Sequence, residues 1–290
     1  MILSDDPTPP SGEFLEVGGV RVHFESAGRG PALILIHGAS GNLRDFSFDL
    51  MPRLAGRYRV VAFDRPGLGH SAALHGDGES PFEQAAHLDA ACAMLGIGRA
   101  ILVGHSYGGA VALAWALDRP GRVAGLVSLA GVANVWQGGL GPWYAISSSW
   151  LGGALVVPLV AAFTPRGRAE ALIGPIFAPQ PVPEGYAAHV GIDLTLRAAA
   201  LRANSRQVNG LLPHIEAMAP RYGEISVPVE IVHGTLDTIV PLDVHSRPLA
   251  RQIGGARLTA LPGIGHMPHH ADPDAAVAAI DRAAARAGLR

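Results

Sequence analysis

Lysine is missing from this sequence: all 22 basic residues among its 290 are arginine. Without an ε-amino group the chain cannot form a lysine Schiff base, a Ser–Lys dyad or a phosphate-loop lysine contact. Cysteine is nearly missing as well. Cys92 stands alone, which excludes an intrachain disulfide framework and a cysteine metal cluster. Its place in the apolar run Ala90–Leu95 marks it as a buried thiol rather than a reactive one. Charge is sparse, at 16% of residues against 49% apolar, so a packed globule is expected and general disorder is not. The net charge is −2 and no basic arm is present, so nucleic acid is not an expected partner. Met1–Gly12 lacks the basic start and apolar centre of a signal peptide. It reads as a mobile leader, and a cytoplasmic location is expected.

What is present is a series of short apolar runs, each ending in a glycine-containing turn. Val20–Ser26 alternates as a half-buried strand does. Leu33–Ile36, Arg59–Phe63, Ile101–Val103, Leu126–Ala130, Val229–Val232 and Leu258–Leu261 are continuous, as suits strands of a mostly parallel sheet covered on both faces. Helical patterns lie between them at Leu43–Leu54, Phe82–Leu95, Tyr107–Leu117, Leu242–Ile253 and Pro273–Ala287. This alternation predicts a doubly wound α/β sheet, with ligands bound beyond the carboxyl ends of its strands. It breaks between residues 132 and 227. The core is therefore assigned to 1–131 and 228–290, and 132–227 to an inserted cap.

The chemistry-bearing residues fall at strand ends. Gly104-His105-Ser106-Tyr107-Gly108 follows a strand pattern and opens a helix pattern, the setting in which a strained turn exposes a serine hydroxyl. Larger side chains at 104 and 108 are expected to clash there. The helix start points its positive end to where an oxyanion forms. A serine needs a base. Among 13 histidines, His266 has the right context, a glycine-rich loop past the last strand. His37 and His233 are expected to bond backbone, and His105 to point elsewhere. Asp237, directly after a strand, is the expected carboxylate partner of the imidazole. Two backbone N–H groups, of Ala39 and Tyr107, are the expected oxyanion donors. His266, His269 and His270 have helical ligand spacing, but Pro268 interrupts it, so no metal site is assigned.

As a set, Ile36-His37-Gly38-Ala39, Phe63-Asp64-Arg65-Pro66-Gly67-Leu68-Gly69-His70-Ser71, Gly104-His105-Ser106-Tyr107-Gly108-Gly109, Asp237 in its loop and Gly265-His266 resemble the α/β-hydrolase superfamily. The resemblance implies an eight-stranded, mostly parallel sheet with helices on both faces and an inserted helical cap. It also implies a Ser106–His266–Asp237 triad working without a cofactor. The serine at 106 departs from the haloalkane dehalogenase and epoxide hydrolase branches, which use aspartate there.

From Val123 to Pro165 there is no charged residue, a run of 43. Its glycines and prolines argue against a membrane span. Core and cap packing, or an apolar lid for acyl chains with peripheral contact to a lipid surface, are the expected uses. Pro175–Pro183 reads as a stiff connector. Trp143, Trp150 and Met267 are the candidate substrate contacts. The expected activity is hydrolysis of carboxylic esters of apolar acids through an acyl-enzyme. C–C bond hydrolysis, lactone opening or perhydrolysis with the same triad, and a non-catalytic small-molecule binder, remain as alternatives. The sequence leaves oligomeric state open.

Overall fold

Each of the six continuous runs read as strands forms one. A computed structural model describes residues 7–76, 79–138, 142–163 and 171–290, without the side chains at 142, 150, 151 and 163. The strands are β1 (Glu13–Val17), β2 (Val20–Ala27), β3 (Ala32–Ile36), β4 (Arg59–Phe63), β5 (Ala100–His105), β6 (Val123–Leu129), β7 (Val229–Gly234) and β8 (Arg257–Leu261). They form one sheet in the order β1-β2-β4-β3-β5-β6-β7-β8. β1, β2 and β4 pair antiparallel, and every pairing from β4 onward to β8 is parallel.

Side chains of a strand alternate between the faces. Ile34, Ile36 and Leu102 therefore join Leu88, Leu113 and Leu249 in one core layer. Leu33, Leu35, Ile101 and Val103 join Phe46, Leu54 and Ile280 in the other. Helices cover both layers, which is why these strands carry no polar alternation. Cys92 lies in the first layer, and burial pushes its thiol up to about 12.

Four sequence expectations change. β1 was not foreseen; it is a short edge strand whose glutamates face outward. Residues 7–12 are not a loose leader, since Thr8 is buried and the Pro9 carbonyl accepts a hydrogen bond from Arg44; Met1–Asp6 lie outside the described residues. The helix expected over Leu43–Leu54 is two pieces, Arg44–Ser47 and Leu50–Ala55. Pro52 has no N–H to give the Phe48 carbonyl, so the ladder breaks between them. Pro248 likewise cannot bond to residue 244, and the helix expected from Leu242 begins at Ser246.

Between β6 and β7 the described residues hold helices alone: Pro142–Ser148, Trp150–Phe163, Gly174–Phe177, Tyr186–Val190, Ile192–Leu196, Ala198–Asn209 and Leu211–Met218, with a 3₁₀ turn at Ala219–Glu224. The charge-free run thus splits into β6 and insert helices. No described helix is long and apolar enough to cross a membrane. The proline-rich connector is helical at Gly174–Phe177.

Asp64, just past β4, ties together the segments at the carboxyl end of the sheet. Its carboxylate accepts from His23 Nδ1–H, the Leu43 amide and the His70 amide, each at 2.7 Å. Asp64→Ala strands all three donors in the interior, so it is expected to lower the unfolding free energy by about 3–5 kcal/mol in urea titration. A loss below about 1 kcal/mol would show that this hub is dispensable.

Candidate active site

The loops after β3, β5, β7 and β8 meet at one edge of the sheet. Ser106 occupies the turn from β5 into the helix Tyr107–Asp118, with φ 52° and ψ −119°. This left-handed conformation is costly for a residue bearing a Cβ. It is held by hydrogen bonds on both sides. The Ser106 amide donates to the Leu129 carbonyl at 3.0 Å, and the Ser106 carbonyl accepts from Gly109 and Val132 at 2.9 and 3.0 Å. The glycine requirement has a specific cause. A Cβ on Gly104 would lie 2.3 Å from the Gly108 carbonyl oxygen, and one on Gly108 would lie 2.1 Å from that of Ile36.

Ser106 Oγ lies 3.0 Å from His266 Nε2, and His266 Nδ1 lies 2.7 Å from Asp237 Oδ2. A carboxylate can only accept, so Nδ1 carries the proton and the Nε2 lone pair is left for the serine hydroxyl. All three side chains are nearly buried. Two loops lie against each other to achieve this. The Leu236 amide donates to the Ile264 carbonyl at 2.8 Å, and a Cβ on Gly234 would meet that same oxygen at 2.2 Å.

Asp237 has partners besides His266. Oδ1 accepts from the Ile239 and Val240 amides at 2.9 Å each, and Oδ2 also accepts from His233 Nε2–H at 3.0 Å. His233 Nε2 faces the Val240 carbonyl as well, at 2.7 Å, while its Nδ1 accepts from Ser246 Oγ. Burial pushes the Asp237 carboxyl up, but the hydrogen bonds from His233 and His266 prevail and hold it well below the usual carboxylate range. The sequence reading gave His233 a backbone partner. It has one, and it also supports the acid.

Ala39 follows β3 beside the serine: a Cβ on its neighbour Gly38 would lie 3.0 Å from Ser106 Cβ. Tyr107 is the first helical residue, whose N–H has no intrahelical partner. Among the described residues neither the Ala39 nor the Tyr107 amide is spent on another backbone group. Behind this pair lies Arg65, fully buried. It donates to the His37 and Gly38 carbonyls at 2.9 and 3.0 Å, and its guanidinium stands 4.3 Å from the Tyr107 ring centroid.

A family model of the alpha/beta hydrolase fold matches residues 31–273. The chain belongs to the α/β-hydrolase family. Among relatives of this hydrolase-fold chain, the 2-hydroxy-6-oxo-6-phenylhexa-2,4-dienoate hydrolase of Burkholderia cepacia is 30% identical over 264 residues, 87% of each chain. An alpha/beta hydrolase fold protein from Burkholderia ambifaria matches with a TM-score of 0.77 at 27% identity, over 94% of this chain and 97% of that one. A thermophilic esterase from Thermogutta terrifontis shares the fold, with a TM-score of 0.73 at 22% identity, over 95% and 99% of the two chains.

Other histidines of this α/β-hydrolase chain are placed away from the serine. His105 Nε2 donates to the His266 carbonyl at 3.0 Å, and His37 Nδ1 donates to the Gly38 carbonyl at 2.8 Å, as expected of both. His269 and His270 do not join His266. Their Nε2 atoms lie 3.1 and 2.8 Å from the Asp45 carboxylate, which also accepts from Tyr186 Oη. Asp45, His269 and His270 each bring a ligand atom within 4.8 Å of the others, a set that could hold a cation, although both Nε2 atoms are hydrogen-bonded to the Asp45 carboxylate. The sequence carried no sign that residue 45 would meet residues 269 and 270.

The candidate substrate contacts fare differently. Met267 is buried between core and insert with Ile173, Phe177 and Tyr186. Trp143 is partly exposed on the helix Pro142–Ser148. The Trp150 side chain lies outside the described residues.

Burial holds several imidazoles neutral. Burial, helped by the Arg65 charge, lowers His37 to about 4, and burial lowers His245 to about 4. An unfolded histidine titrates near 6.5. Between those values the unfolded chain binds more protons, so stability falls as pH falls from 6.5 to 4. The melting temperature is expected to drop steadily across this window. A melting temperature unchanged from pH 7 to pH 4.5 would contradict the neutral, buried state of these rings.

Proposed function

We propose that the protein is a serine hydrolase cleaving carboxylic esters of apolar acids through an acyl-enzyme. The observation that carries this reading is the unbroken chain Ser106 Oγ, His266 Nε2, His266 Nδ1, Asp237 Oδ2 at 3.0 and 2.7 Å. In it His266 takes the proton as Ser106 Oγ attacks the carbonyl carbon, and Asp237 stabilises the imidazolium. The Ala39 and Tyr107 N–H groups donate hydrogen bonds to the oxyanion. Collapse expels the alcohol, protonated by His266, and water activated by the same imidazole then releases the acid.

A neutral acyl group is favoured by how the nearby cations are used. Arg65 donates to protein acceptors, Arg202 to the Gly153 carbonyl and Arg197 to the Gly69 carbonyl. A substrate carboxylate would have to compete with these bonds. An apolar acyl chain also suits the surface of the insert, where an open cleft of about 440 Å³, lined by none of Ser106, His266 or Asp237, runs past Pro158, Ala161, Ala162, Leu196 and Ala198 beside Asp193 and Arg197. Exposed Ile146, Leu155 and Leu159 on the same insert support peripheral contact with a lipid surface. The second reading is C–C bond hydrolysis by the same residues. The similarity to the Burkholderia cepacia dienoate hydrolase over 87% of each chain favours it.

A fluorophosphonate probe is expected to label the native protein and to spare Ser106→Ala, with kcat/KM on p-nitrophenyl esters falling about 10⁴-fold or more in that variant. A p-nitrophenyl ester series of rising acyl length, run beside a 2-hydroxy-6-oxo-dienoate, separates the two readings. Faster turnover of the dienoate would transfer the assignment to C–C hydrolysis. Equal labelling of both proteins would remove Ser106 from the chemistry.

A further inference from the structure

Ser40 follows the expected oxyanion donor Ala39 and has a φ of 57°, in the left-handed region that residues with a Cβ avoid. The groups that hold it there come from the insert. Asn204 Oδ1 accepts from the Ser40 amide at 2.6 Å, and Asn204 Nδ2 donates to Ser40 Oγ at 3.0 Å. Thr195 Oγ1 donates to the Ser40 carbonyl at 2.7 Å. Amide, hydroxyl and carbonyl of one strained residue are thus all held by two insert side chains. Asn204 is buried, so these bonds act in a poorly screened environment where water is not a ready substitute.

The other side of Ala39 is fixed too. The Gly38 carbonyl accepts from Arg65 and from His37 Nδ1, and Arg65 is itself held by Gln207 Oε1 at 2.8 Å. Gln207 and Asn204 stand three residues apart on the helix Ala198–Asn209, on one face of it. Ala39 therefore lies between two peptide planes, each anchored from outside its own loop. A trans peptide places the N–H opposite the C=O. With the Gly38 carbonyl turned to Arg65, the Ala39 N–H points away from that cation and stays free for an incoming oxyanion.

We infer that the insert is part of the oxyanion machinery: Asn204, assisted by Thr195, is a positioning residue that keeps the Ala39 N–H aimed. The hole is complete only while the helix Ala198–Asn209 is seated on the core. The inference rests on the serine-hydrolase reading above.

For a short p-nitrophenyl ester, Asn204→Ala is expected to lower kcat about 10- to 100-fold while KM moves less than about 3-fold. The Ki of a trifluoromethyl ketone, whose hemiketal oxyanion needs the same donors, is expected to rise by the factor that kcat/KM falls. A role limited to packing would not couple those two numbers. If Asn204→Ala does not give a cooperative thermal melt, Thr195→Val carries the test. That variant keeps the side-chain size and is expected to lose about 3- to 10-fold in kcat with the same rise in Ki. Unchanged kcat and Ki in the folded variant overturn the inference, as does a loss of kcat without a rise in Ki. Failure of a fluorophosphonate to label Ser106 in the unaltered protein overturns the hydrolase reading instead. Normal labelling together with an indifferent variant overturns the clamp alone.

Discussion

The left-handed turn at Ser106 is the constraint around which the catalytic edge is built. A serine with φ 52° persists only where its surroundings fix it, and here β6 supplies the acceptor for its amide through Leu129, while Val132 in the loop after β6 and Gly109 in the following helix donate to its carbonyl. The turn lets the helix Tyr107–Asp118 start so close to β3 that position 108 has no room for a Cβ. That closeness brings the Gly38–Ala39 loop beside the serine. β5 lies between β3 and β6 in the sheet, so loops from both sides reach over it. Strain at one residue, glycines at 104 and 108, and the free N–H groups beside the hydroxyl are consequences of a single backbone geometry.

Charge near this edge is handled by saturating carboxylates. Asp64, Asp237 and Asp45 are buried, and each accepts three or four hydrogen bonds from amides, imidazoles or a phenol. Poor screening makes an unpaired carboxylate expensive and a fully bonded one rigid. Asp237 and Asp45 each bind two imidazoles. Of these four imidazoles, only His266 reaches Ser106; His233 reaches the Ser246 hydroxyl instead. The difference between a candidate catalytic carboxylate and one that fastens the insert to the core lies in what stands beyond the imidazole.

The insert does more than cover the site. Besides the contacts of Asn204 and Thr195 with Ser40, Gln180 bridges the base loop, accepting from the Gly265 amide and donating to the Gly263 carbonyl, on either side of Ile264 and just before His266. Tyr186 reaches Asp45 just beyond the oxyanion loop. Loops at the ends of β3 and β8 thus share a support that neither core layer provides. The position of the insert and the geometry of the loops around Ser106 and His266 are mechanically joined.

Sequence alone determined the parts governed by local rules. Apolar runs of strand length, glycine turns at their ends and the helix pattern after Ser106 specified the parallel sheet, because strand burial and turn chemistry are written in a few consecutive residues. The order Ser106, Asp237, His266 at strand ends specified the triad's members. β1 escaped because Glu13–Val17 is a brief edge strand with polar residues outward, hard to tell from a loop. The paired imidazoles on Asp45, the support of Asp237 by His233 and the grip of Asn204 on Ser40 were decided by tertiary structure. Their partners, apart from His233, are separated by more than a hundred residues. A buried asparagine on a helix also looks the same in sequence as an exposed one. Only packing decides which polar side chains are shut in together, and so which backbone groups they must satisfy.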